Sequence, residues 1–140
     1  MKAEATLKIL LIEDSKVLRQ MNQRALTKAG YKVISAGDGE EGLRIAREHD
    51  PDLILLDMML PRIGGQDVLR TLKRDARTRH VPVIVLSGLS RANAPNLMRE
   101  GAVEFVEKTS QLLENDAQGL IQTLEGVLSK ANQLKEIGWH

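Results

Sequence analysis

The chain has 140 residues, 42% of them hydrophobic and 28% charged, a size and balance that allow one domain with a core of its own. Lys and Arg number 20 against 19 Asp and Glu, leaving a formal charge of +1, so no global field draws the molecule to nucleic acid or to an anionic membrane. Cysteine is absent, which excludes disulfide frameworks, thiolate zinc sites and cysteine nucleophiles, and His49, His80 and His140 stand far apart in no metal-ligand spacing.

Residues Met1 to Leu7 are short and charged and lack the apolar run of a secretory signal. No stretch approaches the ~18 apolar residues of a membrane span, so the expected location is cytoplasmic. Lys8-Ile9-Leu10-Leu11-Ile12 has the continuous apolar character of a strand buried on both faces, and it ends in acid, Glu13-Asp14. Ser15 is placed to cap a helix from Lys16 to Ala29, whose residues Leu18, Met21, Ala25, Leu26 and Ala29 fall at helical spacing, with Gly30 as its stop. Tyr31 to Ser35 alternates like a strand with a less buried face, at or near a sheet edge. Gly37-Asp38-Gly39-Glu40-Glu41-Gly42 then leads a helix through about Glu48, and Pro51 separates that helix from the next strand.

Leu53-Ile54-Leu55-Leu56 runs straight into Asp57, and Pro61, Gly64 and Gly65 follow. Such a run reads as the central strand of a covered parallel sheet, with Asp57 at its carboxyl end, where ligands collect in open α/β sheets. Asp67 to Arg74 reads as a short helix carrying Val68, Leu69 and Leu72. Val81 to Leu86 is another buried strand, with Pro82 at its entry, and it ends in Ser87-Gly88. A weaker helix follows from about Arg91 to Glu100, then a fifth strand, Val103 to Glu107, ending in Lys108, then a long helix from Asp116 to about Ile137. Strands alternating with helices five times over predict an α/β domain, a doubly wound parallel sheet with right-handed crossovers. The expected organisation is a tail over residues 1–7, one domain over 8–130, and an extension of the last helix over 131–140.

The residues that follow the strands are Glu13 and Asp14, then Asp57, Ser87 and Lys108. If strands one, three, four and five are neighbours, these side chains converge on one rim. Carboxylates packed together repel and are tolerated mainly around a hard cation. Oxygen ligands without histidine or cysteine suggest Mg²⁺, which favours carboxylates together with a phosphate. A lysine and a hydroxyl facing that cluster suit a transferred phosphoryl group, which needs positioning and charge neutralisation.

In these motifs the chain resembles the receiver domain of two-component response regulators, from about Lys8 to about Lys130. The matching residues are Glu13-Asp14, Asp57 within Leu-Leu-Asp-Met-Met-Leu-Pro and the glycine pair after it, Ser87, and Phe105-Val-Glu-Lys108. The resemblance implies a flavodoxin-like fold with strand order 2-1-3-4-5 and five helices. It also implies a signalling module that assists its own phosphorylation and dephosphorylation and is not otherwise an enzyme. Asp57 would be the phosphoacceptor. Asp14 would ligate Mg²⁺ directly, Glu13 would help through water, and the backbone carbonyl of Met59 would complete the metal site. Lys108 would contact a phosphoryl oxygen. Ser87 would shift toward the phosphoryl group and Phe105 would rotate inward, changing the surface of the fourth helix, fifth strand and fifth helix. The implied partners are a sensor histidine kinase or histidine phosphotransfer protein and a downstream protein target, with no direct nucleic acid or membrane contact. With nothing after the last helix, output is expected through a protein contact.

Some residues depart from the family pattern. Thr109 follows Lys108 where the family usually has proline, often through a cis peptide, and a cis bond without proline costs about 3 kcal/mol. The fifth loop is therefore expected to be atypical. Gly88 stands where alanine is common, and Met59 and Leu89 flank the path of attacking water, so slow hydrolysis is expected. Three other readings compete. Gly37 to Gly42 matches a dinucleotide-binding fingerprint literally, but Asp38, Glu40 and Glu41 oppose a pyrophosphate, and an acidic helix cap explains them. A receiver-like module that signals without phosphate is opposed by the intact acid pair, Asp57, Ser87 and Lys108. An aspartyl-phosphate hydrolase commonly carries a second Asp where this chain has Met59. Finally, Leu113, Ala117, Leu120, Leu124, Val127, Ala131 and Leu134 repeat in a four-three pattern that fits packing on the sheet and also a homodimer seam. The twenty or so residues of that helix would span about 30 Å, so Leu134, Ile137 and Trp139 lie where a dimer contact or a linker is expected.

Overall fold

The computed structural model describes residues 6–88, 94–107 and 118–136, with side chains of the last helix described through residue 130. Five parallel strands, β1 (Lys8–Ile12), β2 (Lys32–Ala36), β3 (Leu53–Asp57), β4 (Val83–Ser87) and β5 (Glu104–Glu107), form one sheet in the order β2-β1-β3-β4-β5. The helices between and after them are α1 (Lys16–Lys28), α2 (Gly39–His49), α3 (Gly65–Arg74), α4 (Ala94–Arg99) and α5 (Gln118–Glu136). The strand order matches the sequence-based expectation, and so do the five helices found among the described residues.

Side chains alternate across each strand, and both sets are apolar, so two cores form. Leu10, Ile12, Ile54, Leu56, Val83 and Val85 point to one face, where α2, α3 and α4 supply Leu43, Val68, Leu69, Leu72 and Leu97. Ile9, Leu11, Leu53, Leu55, Ile84 and Leu86 point to the other, against Leu26 of α1 and Leu120 and Leu124 of α5. Every residue of β3 and β4 is buried, whereas edge strand β2 runs from exposed Lys32 to buried Ala36. Burying each of these large side chains contributes about 1.5–3 kcal/mol, and this two-sided burial selects a parallel sheet over hairpins.

Several boundaries differ from those expected, for local reasons. β2 begins one residue later than Tyr31 and extends to Ala36, which pairs with Ile12. β4 begins at Val83 because Pro82 has no N–H for the ladder, although its carbonyl accepts from Ile54 N at 3.0 Å. α3 starts two residues before Asp67, at Gly65. In α5, Leu120 and Leu124 are fully buried against the sheet and Val127 packs beside them, so this part of the four-three repeat is spent within the fold. Leu113, Ala117, Ile137 and Trp139 lie outside the described residues, as does the Lys108–Thr109 bond.

Candidate functional site at the carboxyl ends of the strands

Strand register decides which residues meet. Ile12 pairs with Leu56, so Glu13 and Asp57 come one step later on neighbouring strands, which lie about 4.8 Å apart. Asp57 pairs with Leu86, and Ser87 pairs with Glu107. The rim thus carries Glu13, Asp57 and Ser87 in sequence across β1, β3 and β4, and β5 delivers the chain to the same rim immediately before Lys108. Lys108 itself lies outside the described residues.

Burial separates this rim from an ordinary acidic loop. Glu13 and Asp57 are each 1% exposed and Ser87 is 0% exposed. They are three of the five buried polar or charged residues in the described chain, with Asn22 and Thr78 elsewhere. Thr78 has a structural account, since its hydroxyl donates to Leu72 O at 2.7 Å and secures the end of α3. Burying carboxylates is costly without compensating contacts, so two of them on adjacent strand ends mark a site.

Local hydrogen bonds hold the acids in place. Ser15 Oγ caps α1 by accepting from Leu18 N, and Ser15 N donates to Glu13 Oε2 at 3.0 Å. Arg19, one turn into α1, donates from Nη1 to the carbonyls of Glu13 (2.8 Å) and Asp14 (3.3 Å), tying down the acidic turn. The Asp14 residue is exposed at the lip. Asp57 Oδ1 accepts from Met59 N at 3.0 Å, a side-chain turn that orients the carboxylate, while Met58 N continues the ladder to Leu86 O. The Met59 side chain is 62% exposed, so it faces solvent rather than lining a closed pocket. Phe105 is 1% exposed and packs in the core on the α2–α4 side, an inward position.

The loop after β3 is braced by contacts that span the chain. Gly65 N donates to Met58 O at 3.2 Å, and a Cβ on Gly65 would lie 2.5 Å from Asp57 O and from Met58 Cα. Only a residue without a side chain lets α3 start this close to the strand end. Arg62 takes a left-handed conformation (φ 59°), and its Nη2 bonds Asp38 Oδ2 at 2.8 Å. Asp38 caps α2 by accepting from Glu41 N at 2.8 Å, and Glu41 Oε1 accepts from Gly37 N at 3.0 Å. The Glu41 N–H and then Arg62 hold the Asp38 carboxyl below its usual range. The Gly37–Gly42 segment is thus a reciprocal helix cap, with the N–H groups of Gly37, Glu41 and Gly42 committed internally. A Cβ at Gly42 would meet Ile12 Cδ1 at 2.5 Å, so this glycine serves helix–strand packing.

The chemistry of the donors fits a hard cation. Among the described residues no group of three acidic or histidine side chains is gathered closely enough to hold a metal ion by itself. Glu13 and Asp57 are buried oxygen donors on neighbouring strand ends, with Asp14 exposed at the lip, and such an all-oxygen donor set would suit Mg²⁺, an ion that retains several waters and binds through one or two carboxylates. Sequence reasoning named Glu13, Asp14, Asp57 and Ser87 as candidates and Asp38 as part of a helix cap, but not Arg19 or the Arg62–Asp38 contact as braces. Arg19 sits four residues after the Ser15 cap on the first turn of α1, a weak signal; Arg62 to Asp38, 24 positions apart, had none.

Comparisons with known proteins agree with this fold. The family model for the response regulator receiver domain matches residues 9–118. The chain is 34% identical over 99 residues to the polar-differentiation response regulator DivK of Brucella ovis, covering 71% of this chain and 80% of that protein. It superposes on the chemotaxis response regulator CheY4 of Vibrio cholerae with a TM-score of 0.78 at 27% identity, covering 87% of this chain and 98% of that one. The response regulator domain of Thermotoga maritima CheB gives a TM-score of 0.77 at 26% identity, covering 89% and 97%. A CheY-like sheet with a buried acidic rim, matched by the family model over most of its length, places this chain among the response regulator receiver domains of two-component signalling.

Proposed function

We propose that the domain accepts a phosphoryl group on Asp57 from a histidine kinase or histidine phosphotransfer protein and thereby changes the surface formed by α4, β5 and α5. The observation that carries this reading is the burial of Glu13, Asp57 and Ser87 side by side at the carboxyl rim of the sheet. An Asp57 carboxylate oxygen attacks phosphorus, a P–O bond forms, and the donor's bond to phosphorus breaks, with the electron pair leaving on the donor. Mg²⁺, held by Asp14, Asp57, the Met59 carbonyl and, through water, Glu13, would neutralise charge on the phosphoryl oxygens. The Met59 N–H bond to Oδ1 orients the attacking carboxylate. Lys108 contacts a phosphoryl oxygen and Ser87 donates to another. A shift of Ser87 toward the phosphoryl group would be felt by Phe105, already inward in this structure, through β4: the Cα partner of Phe105 is Val85, two residues before Ser87.

The test is intact-mass spectrometry after incubation with acetyl phosphate, with and without Mg²⁺, beside Asp57→Asn. The reading expects one phosphoryl adduct that needs both Mg²⁺ and Asp57. Absence of an adduct under every condition would leave a phosphate-independent interaction module as the better account.

A further inference from the structure

The positive charge of this nearly neutral chain is not evenly spread. Residues 70–79 carry five Lys or Arg (Arg70, Lys73, Arg74, Arg77, Arg79) against one acid, Asp75. Three of these basic residues line a cleft of about 560 Å³ between α3 and α4, where Arg99 joins them from α4. That volume is in the range of small-ligand sites, and the cleft is open to solvent rather than enclosed.

The charges in the cleft differ in availability. Lys73 Nζ is committed to the carbonyls of Val81 (2.7 Å) and Arg79 (3.2 Å), and burial lowers its pKa. Arg70 Nε grips both oxygens of Glu100 at 2.6 and 2.9 Å and its Nη1 lies 3.5 Å from Asp67 Oδ1, so Glu100 is neutralised within the cleft wall. The carboxyl of Glu100 is held below its usual range by Arg70 first, with Gln66 and Arg74 contributing. Arg74 of α3 and Arg99 of α4 are the exposed guanidinium groups lining the cleft, and Arg99 donates to Asn96 Oδ1. Two guanidinium groups brought to one groove by two helices suit an anion with several oxygens spread over more than one centre. Gln66 and Asn96 add carboxamide groups at the end of the cleft, where it adjoins a second hollow of about 330 Å³ beside Met58.

We propose that the α3–α4 cleft binds an oligophosphate, either free or carried by a nucleoside, at a site separate from Asp57. Its test is an amide NMR titration of the full chain carrying Asp57→Asn, in EDTA, with pyrophosphate, with ATP and with orthophosphate as a control. Those conditions silence the phosphoacceptor rim, so the result is independent of whether Asp57 is phosphorylated. Saturable shifts confined to residues 66–74 and 96–101 are expected with pyrophosphate or ATP. Arg74→Gln together with Arg99→Gln should weaken the apparent affinity at least about tenfold, the loss of roughly one charge-assisted hydrogen bond. Arg77→Gln, outside the cleft and paired with Asp75 at 2.9 Å, should leave it unchanged. Equal affinities for the two ligands identify a free oligophosphate as sufficient, and tighter ATP binding with added shifts at Gln66 and Asn96 identifies a nucleoside-bearing one. Shifts that never saturate, that spread over all basic residues, or that survive the double substitution would overturn the proposal.

Discussion

Gly64 and Gly65 are adjacent and look interchangeable in the sequence, yet the structure predicts opposite responses to alanine. A Cβ on Gly65 would sit 2.5 Å from Asp57 O and Met58 Cα, both backbone atoms, and 2.9 Å from Met58 Cε. Ordinary contact begins near 3.4 Å, so the start of α3 or the end of β3 must move by roughly 1 Å in a close-packed region. Overpacking of this kind costs about 1–3 kcal/mol, slightly offset by the better helix propensity of alanine. A net loss of about 2 kcal/mol would lower Tm by roughly 4–8 °C for a chain of this size. At Gly64 nothing lies within 4 Å of the added Cβ, and its φ of −69° is open to alanine. Gly64→Ala should therefore stay within about 0.5 kcal/mol of the parent. Thermal and urea unfolding of both variants measures this, and acetyl phosphate labelling of Gly65→Ala should also slow, because the displaced backbone carries Asp57. Equal stability of the two variants would refute the packing argument.

Other substitutions probe the braces around the site. Arg62→Gly should be about 1 kcal/mol more stable than Arg62→Ala, since both lose the exposed pair with Asp38 but only glycine relieves the left-handed backbone; equal urea midpoints would count against that assignment. Arg19→Ala should cost about 1–2 kcal/mol and slow labelling, because Arg19 is a charged donor to the Glu13 and Asp14 carbonyls. Unchanged stability and labelling would remove Arg19 from the account. The pH dependence of the Arg70–Glu100 pair follows from its sign. The folded-state pKa of Glu100 is depressed, so the pair's contribution is whole above the ordinary glutamate range and is lost as pH falls through the folded value. The stability gap between parent and Glu100→Gln should thus be steady near neutral pH and close in acid; a gap that widens in acid contradicts it.

The sheet and its order were legible because a strand buried on both faces needs an unbroken apolar run, and β1, β3 and β4 have one each. The acids were legible for the complementary reason, since a carboxylate directly after such a run has to sit at the strand's end. Gly65 looked like a turn residue because its real constraint, close approach to Asp57 O, is a tertiary distance with no local trace. The Arg62–Asp38 and Arg70–Glu100 contacts join positions 24 and 30 apart and belong to no periodic pattern, so only the fold reveals them. The Gly37–Gly42 motif shows the reverse case, a literal pattern match that packing and capping explain. The four-three repeat of the last helix was ambiguous between seam and core because both periods fit three turns, and burial of Leu120 and Leu124 resolves those two positions.

The proposed mechanism places the phosphoryl group on Asp57 rather than on the neighbouring acids. Borohydride reduction traps an acyl phosphate by converting the modified aspartate to homoserine, so peptide mapping after acetyl phosphate and Mg²⁺ treatment reads the position directly. The account predicts homoserine at position 57 alone, dependent on Mg²⁺. Reduction at Glu13 or Asp14, or none at position 57 in a protein whose intact mass shows the adduct, would contradict it.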